Sequence, residues 1–406
     1  MQVPTNQHYP YRPNSTLDIR LFSPAGRPLP FAGEVNTETK SHKPHLPCQL
    51  QVKKTLSGTL SCVLLVGPPD GGDLISWTNT YGIQTPSTSS NLMILKLLDR
   101  RFADGMREQC EASEWTPELE AHFDSFNSIP EGDRPEIRVS GGFDGDSWYE
   151  GNEGTETTGH PHSRNGSRNI PQERWSPGHR EAYLQKKCDK AYEMELQVYN
   201  QLRDIQGDQI PRLYATILVR SVDGDTHAAP WAKGILMEYL ADSFSLRDIP
   251  SNVLDQTLWQ GIGEAAVKLV QQVGDLGVLN RDVRLDNILV VPVHSRLPRE
   301  IRGFDPSSEL LEEEHAQIQP LTNVSQQFKL VMIDFGLARV QAPDESDEEF
   351  RKARLSQDEE GAVGFVLEGH LKKVLKKSRN KGANLLFRFK HSYRLRRYWD
   401  TDDADI

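Results

Sequence analysis

Asn280-Arg281-Asp282-Val283-Arg284-Leu285-Asp286-Asn287, with Asp334-Phe335-Gly336 further on, is the stretch that decides how this chain reads. Ahead of it, from about 254 to 275, Trp259, Ile262, Ala266, Leu269 and Val273 recur at helical spacing. Apolar strand-like runs follow at 288–293 and at 330–333. Asp282 and Asn287 therefore fall on a loop between a helix and a strand. Asp334 closes a second strand, Leu330-Val331-Met332-Ile333, and precedes a flexible glycine. A carboxylate on such a loop can orient a hydroxyl, and an amide five positions later can reach back to a metal. A carboxylate at a strand end, backed by apolar residues, is a good position for a Mg²⁺ ligand.

In this order the two segments resemble the protein-kinase catalytic loop, H-R-D-x-x-x-x-N, and the D-F-G element. A lone Asp-Phe-Gly would say little. Both together, with a helix before the first and a strand before the second, are specific. The resemblance implies an α+β, bilobal protein-kinase-like fold with a β-rich N-lobe and a mainly helical C-lobe. It implies ATP and Mg²⁺ as cofactors. Asp282 would orient the acceptor hydroxyl, Asn287 and Asp334 would hold Mg²⁺, and Arg284 would offset charge on the γ-phosphate.

The resemblance extends upstream. Leu92-Met93-Ile94-Leu95-Lys96-Leu97 looks like the third strand of that family, so Lys96 would hold the α- and β-phosphates. A helical pattern at 184–204, with Tyr192, Leu196, Tyr199 and Leu202 on one face, supplies Glu195 as its partner. Glu193 is the rival. Glu195 is favoured because Tyr199 and Leu202 follow at the spacing of the buried stripe. Leu236-Met237-Glu238-Tyr239-Leu240 resembles the hinge: backbone groups of Glu238 and Leu240 would bind adenine, and Met237 would gate the pocket behind it. The wording Leu97-Leu98-Asp99-Arg100-Arg101-Phe102, with a large insertion before the helix, is similar to divergent kinase-like proteins of filamentous fungi.

The pattern also departs from the family. In the phosphate-covering loop, aligned on Val63, Gly58 alone is kept and Ser61 stands where the third glycine would be. Asn280 replaces the family histidine. Arg284 replaces a lysine, keeping the charge but with a planar fork in place of a point charge. No Ala-Pro-Glu follows Gly336, and about 70 residues remain after it, so the C-lobe reads as truncated, with a central helix starting near 356–364.

Residues 1–45, rich in Pro, Asn, Ser and Thr, read as a flexible lead-in. The N-lobe is expected over 46–240, as an antiparallel meander with a disordered or weakly folded insertion at about 104–180. The C-lobe is expected over 241–370, with an acidic insertion at about 295–327. A basic tail closes the chain at 371–406. Arg281 is expected to meet a charged group after Asp334. Ser346, inside the acidic run 344–349, is a phosphorylation site in the sharp reading and part of a solvated acidic loop in the plain one. The basic run from 371 reads as a nuclear-import signal or anionic-surface contact, or as a solvated amphipathic helix.

The 406 residues are 36% hydrophobic and 26% charged, polar enough to suggest a folded core with solvated insertions. A net charge of −11 argues against nucleic-acid binding by the whole chain, the basic C-terminal tail excepted. Cys48, Cys62, Cys110 and Cys188 form no CxxC pair, which points away from zinc or a disulfide framework and towards a reducing, intracellular compartment, cytoplasmic or nuclear. No secretory leader or membrane-spanning run is read. Three functions stay open. One is an ATP- and Mg²⁺-dependent phosphotransferase acting on Ser or Thr of a protein. Another is a pseudokinase serving as a binding module for nucleotide or protein. The last is a small-molecule kinase similar to the aminoglycoside and choline phosphotransferases.

Overall fold

The computed structural model describes residues 9–22, 48–56, 61–81, 83, 91–130, 133–134, 175–221, 231–253, 256–293, 327–377 and 387–390. The chain divides into two compact units. The first comprises Met1–Glu193 and Tyr214–Leu236; the second comprises Met194–Leu213 and Met237–Ile406. The fold is α+β, with the longer strands in the first unit and most of the helix in the second.

The first unit is built on a closed barrel of order β1-β2-β3-β4-β6-β5. Its strands are β1 (Thr16–Phe22), β2 (Cys48–Leu56), β3 (Cys62–Gly67), β4 (Met93–Leu98), β5 (Leu213–Ser221) and β6 (Ala232–Glu238). Alternation fills its interior: Leu17 and Ile19, Leu50 and Val52, Leu64 and Val66, and Met93, Leu95 and Leu97 all join one core. The expected antiparallel meander closes into a barrel, and β1 lies inside the stretch read as a flexible lead-in. Thr16-Leu17-Asp18-Ile19-Arg20-Leu21 alternates apolar and polar residues, and it pairs with β2 at Leu17↔Leu50 and with β5 at Ile19↔Val219.

Part of the expected insertion is also folded. Helix α1 (Leu74–Thr80) follows β3, and α2 (Asp104–Gln109) and α3 (Pro117–Asn127) follow β4. Their charges are buried in pairs. Arg107 meets Glu181 at 2.6 Å, and Arg100 meets Glu120 at 2.7 Å and also reaches Glu181. Asp99 is held by Arg101 at 2.7 Å and by the Tyr11 hydroxyl at 2.6 Å. A polar composition read as solvent-facing is here an internal ion network, the arrangement in which buried charges are tolerated.

Helix α4 (Pro177–Gln201) contributes to both units. In the second unit, α5 (Ile249–Asn252) precedes α6 (Thr257–Asp275), which buries the expected stripe of Trp259, Ile262, Ala266, Leu269 and Val273. Gly277, at φ +80°, turns the chain out of α6 into β8 (Val278–Leu279). β7 (Phe244–Ser245), β9 (Ile288–Pro292) and β10 (Phe328–Met332) form a sheet of order β10-β9-β7, and β11 (Arg339–Val340) pairs with β8. Helices α7 (Asp347–Gln357) and α8 (Glu359–Lys377) complete the unit, and α8 packs on α6. α8 starts within the stretch read as a central helix, and it carries the first part of the basic run. Among the described residues, no helix is long and apolar enough to cross a membrane.

Candidate active site

The loop 280–287 hangs between β8 and β9, and its two ends are buried. Asn287 is buried within the turn Leu285–Asn287. Its side-chain nitrogen donates to the Asp282 carbonyl at 2.9 Å and to the Asp282 carboxylate at 3.3 Å. With the nitrogen committed there, the amide oxygen is the atom left to face a cation. Arg284 donates to the same carboxylate at 2.6 Å. The peptide N–H of Ile333, at the end of β10, donates to the Asn287 carbonyl at 2.9 Å. That bond ties the residue before Asp334 to the loop.

Asp282 and Asp334 sense each other electrostatically. Burial raises the Asp282 pKa above the usual carboxylate range. Arg284 opposes the rise, the Asp334 charge adds to it, and the hydrogen bonds from Arg284 and Asn287 oppose it again. Asp334 sits at φ +66° and Arg281 at φ +40°. Neither is glycine, and each such conformation costs on the order of 1–2 kcal/mol. The surrounding structure must hold both, a common property of functional sites. Phe335, fully buried, stands edge-on to Tyr199 at 6.0 Å, and the Tyr199 hydroxyl donates to the Met237 sulfur at 3.2 Å. Burial, with Glu195, Asp334 and Glu238 as further causes, drives the Tyr199 pKa well up.

Sequence reasoning missed Glu359, the first residue of α8. Its carboxylate accepts the peptide N–H of Arg281 at 2.9 Å. A charged group after Asp334 does meet Arg281, but it is Glu359, beyond the 344–349 run, and this hydrogen bond comes from the Arg281 backbone. Burial lifts the Glu359 pKa to about 7 against that bond and the charges of Arg354 and Arg281. Arg354 in turn reaches Asp275 at 2.9 Å and the Gln271 carbonyl at 3.2 Å, fastening α7 to the end of α6.

Asn280, 1% exposed, has no hydrogen-bond partner for either side-chain polar atom among the described residues. Its carbonyl accepts from the Asp282 N–H across one residue, which fits the positive φ of Arg281. Ser346 is the N-cap of α7. It accepts from the Glu349 N–H at 3.3 Å, and Glu349 closes the box on the Ser346 N–H at 2.9 Å. The second half of the acidic run, Asp347 to Glu349, is thus the first turn of a helix, where acids suit the helix dipole, while Asp344 and Glu345 lie in the turn before it.

The remaining site residues fall in both units. In the first, Lys96 on β4 pairs with Val63 on β3, and both alternate with core residues, so they share the face turned away from the barrel interior. Lys96 is only 5% exposed. Gly58 lies outside the described residues, as does most of the expected 295–327 insertion. On α4, Glu195 in the second unit is buried and Glu193, the last residue of this part of the first, is exposed. Buried Leu184, Cys188, Ala191, Glu195, Val198 and Tyr199 mark the inner stripe of α4, while Tyr192 and Leu196 are half-buried beside it. The Glu238 N–H donates to the Arg212 carbonyl at 2.9 Å. The Leu240 carbonyl accepts from the Ser243 hydroxyl at 2.8 Å.

Two oxygen donors, Asn287 and Asp334, suit Mg²⁺, which takes one or two protein ligands and fills its octahedron with phosphate and water. No cluster of three His, Cys, Asp or Glu residues able to hold a metal occurs among the described residues.

No family model matches the chain, and no curated protein matches it. Several solved structures overlap it, three of them as follows. The Rio2 kinase of Chaetomium thermophilum, solved as an ADP/Mg²⁺-phosphoaspartate complex, is 12% identical at a TM-score of 0.35, over 82% of this chain and 62% of that one. The kinase domain of PknI from Mycobacterium tuberculosis is 12% identical at 0.31, over 87% and 95%. WaaP in complex with acyl carrier protein is 16% identical at 0.26, over 52% and 76%. Likenesses this shallow give no template for the chemistry.

Proposed function

We propose that the chain is an ATP- and Mg²⁺-dependent phosphotransferase of the protein-kinase-like superfamily, acting on a Ser or Thr hydroxyl of a protein. The observation that carries this reading is the bonding of Asn287 to Asp282 on one side and to Ile333, the residue before Asp334, on the other. A scaffold has no need to bring a carboxylate base, an amide oxygen and a second carboxylate together.

In this reading Asp282 orients the acceptor hydroxyl and takes its proton as the oxygen bonds to the γ-phosphorus. The bond to the bridging oxygen breaks and ADP leaves. The raised Asp282 pKa favours that proton transfer. Asn287 and Asp334 are the ligands for Mg²⁺, which when bound neutralises phosphate charge. Arg284, beside Asp282, is placed to offset charge on the transferred group. Lys96 and Val63 are assigned to the nucleotide, Glu195 to orienting Lys96, and Met237, Glu238 and Leu240 to the adenine side. An intracellular setting goes with this reading.

The test is transfer of label from γ-labelled ATP by the full chain, with a peptide library and a metabolite panel as acceptors. Labelled peptide that disappears in Asp282→Asn and Asp334→Ala supports the protein-kinase reading. Label on metabolites alone defeats it in favour of a small-molecule kinase. The binding-module reading draws support from Arg284 standing directly on the Asp282 carboxylate. A thermal shift with ATP but no transfer to any acceptor would favour that reading.

A further inference from the structure

The second unit holds a short segment, Phe387-Arg388-Phe389-Lys390, laid across α6 and α8. The Phe387 ring is buried against Gly263 of α6, and a Cβ at that glycine would overlap the ring. Phe389 lies in the same way against Gly364 of α8, and it meets Phe365 edge-on at 4.8 Å. The segment's backbone is read as well. The Arg388 N–H donates to the Gln260 side chain, and the Phe389 N–H to the Glu368 carboxylate, both at 3.0 Å. Lys372 holds Glu368 at 2.5 Å.

Each ring has its own glycine floor, and two successive amides have their own side-chain acceptors. Aromatic anchors supply large contact area at low entropic cost, and amide acceptors fix register. Glycine is needed because only a missing Cβ lets the rings approach so closely. Ordinary core packing would use the rings but would not need side-chain acceptors for both peptide groups. We propose that the α6–α8 face is a peptide-docking groove for segments of the form Phe-x-Phe, filled in cis by residues 387–389. It accepts the same chemistry in trans when that segment leaves. Its walls are the two helices that carry the catalytic loop: α6 leads into β8, and α8 begins at Glu359, which holds Arg281. The groove does not depend on the phosphotransferase reading.

The probe is a fluorescent peptide with the sequence of residues 384–391, Asn-Leu-Leu-Phe-Arg-Phe-Lys-His. A tethered segment acts at an effective concentration of about millimolar, so the peptide should bind full-length Phe387→Ala/Phe389→Ala about a hundredfold or more tighter than the unmodified chain. A peptide with both Phe changed to Ala should not bind. Equal binding to both chains, or none to the folded double variant, overturns the proposal. Should that variant not fold, hydrogen exchange on the unmodified chain decides. The Arg388 and Phe389 amides should be protected and should lose protection with excess Phe-Arg-Phe peptide. Exchange at the free-peptide rate without competitor, or protection that excess peptide leaves intact, contradicts the groove.

Discussion

Asn287 donates its side-chain amide to the backbone carbonyl and to the carboxylate of Asp282, five residues earlier, at 2.9 and 3.3 Å. One side chain therefore closes the loop and holds the Asp282 carboxylate. Asn287→Asp keeps the size but replaces the donor nitrogen with an acceptor facing a carboxylate. Transfer by Asn287→Asp should fall by a factor on the order of 100 or more, with Mg²⁺-dependent nucleotide binding weakened. Turnover and an ATP titration at several Mg²⁺ concentrations check this; unchanged turnover would remove Asn287 from the site.

Arg284 holds the pKa of Asp282 down against burial and the Asp334 charge. In the proposed reaction Asp282 acts as the carboxylate, so activity should rise with pH through the Asp282 pKa, above the ordinary Asp value of about 3.9. Arg284→Gln removes a lowering influence, so the acid limb of the kcat/KM profile should move to higher pH. A limb that stays in place would mean that another group sets it.

Glu359 has a folded pKa of about 7 against an ordinary value of 4.5. Between those values the unfolded chain has lost the proton while the folded chain keeps it, so stability falls as pH rises through this window and levels off above about 7. The total loss is on the order of 3 kcal/mol. Glu359→Gln keeps an oxygen for the Arg281 N–H and should flatten that slope. Urea midpoints from pH 4 to 8 measure it, and parallel profiles for the two chains would contradict the assignment.

Asn280 buries an amide with no partner among the described residues. Such a group costs about 1–3 kcal/mol. Asn280→Leu, of similar shape, should stabilise the chain by about that amount and raise the melting temperature by a few degrees. A lower melting temperature would show that the amide is satisfied in solution.

The elements most legible in the sequence are those with a clean period. The α6 stripe and the β10 run before Asp334 are read directly, and the β4 strand is read as an apolar run around Lys96. Helical spacing favours Glu195 over Glu193 as the inward-facing acid, and Glu195 is the buried one. The less legible features are masked by composition, by distance along the chain or by contacts that only the fold makes. β1 alternates as clearly as β4 but sits in a Pro- and Ser-rich stretch. Arg100, Arg107 and Glu181 are charged residues that face one another inside the unit, and no local sequence signal distinguishes them from solvated ones. Glu359 lies far along the chain from Arg281, so only the fold brings them together. The glycines under Phe387 and Phe389 carry meaning only once the rings are seen above them.

The central claim is that the loop 280–287 and Asp334 form one nucleotide- and metal-dependent transfer site. Its most direct test is γ-labelled ATP incubated with the full chain and a Ser/Thr peptide library, with and without Mg²⁺, beside Asp334→Ala. Mg²⁺-dependent peptide label that is lost in a folded Asp334→Ala is the predicted result. Label that persists without Mg²⁺ or in Asp334→Ala, or no label and no ATP binding by the unmodified chain, would contradict the account.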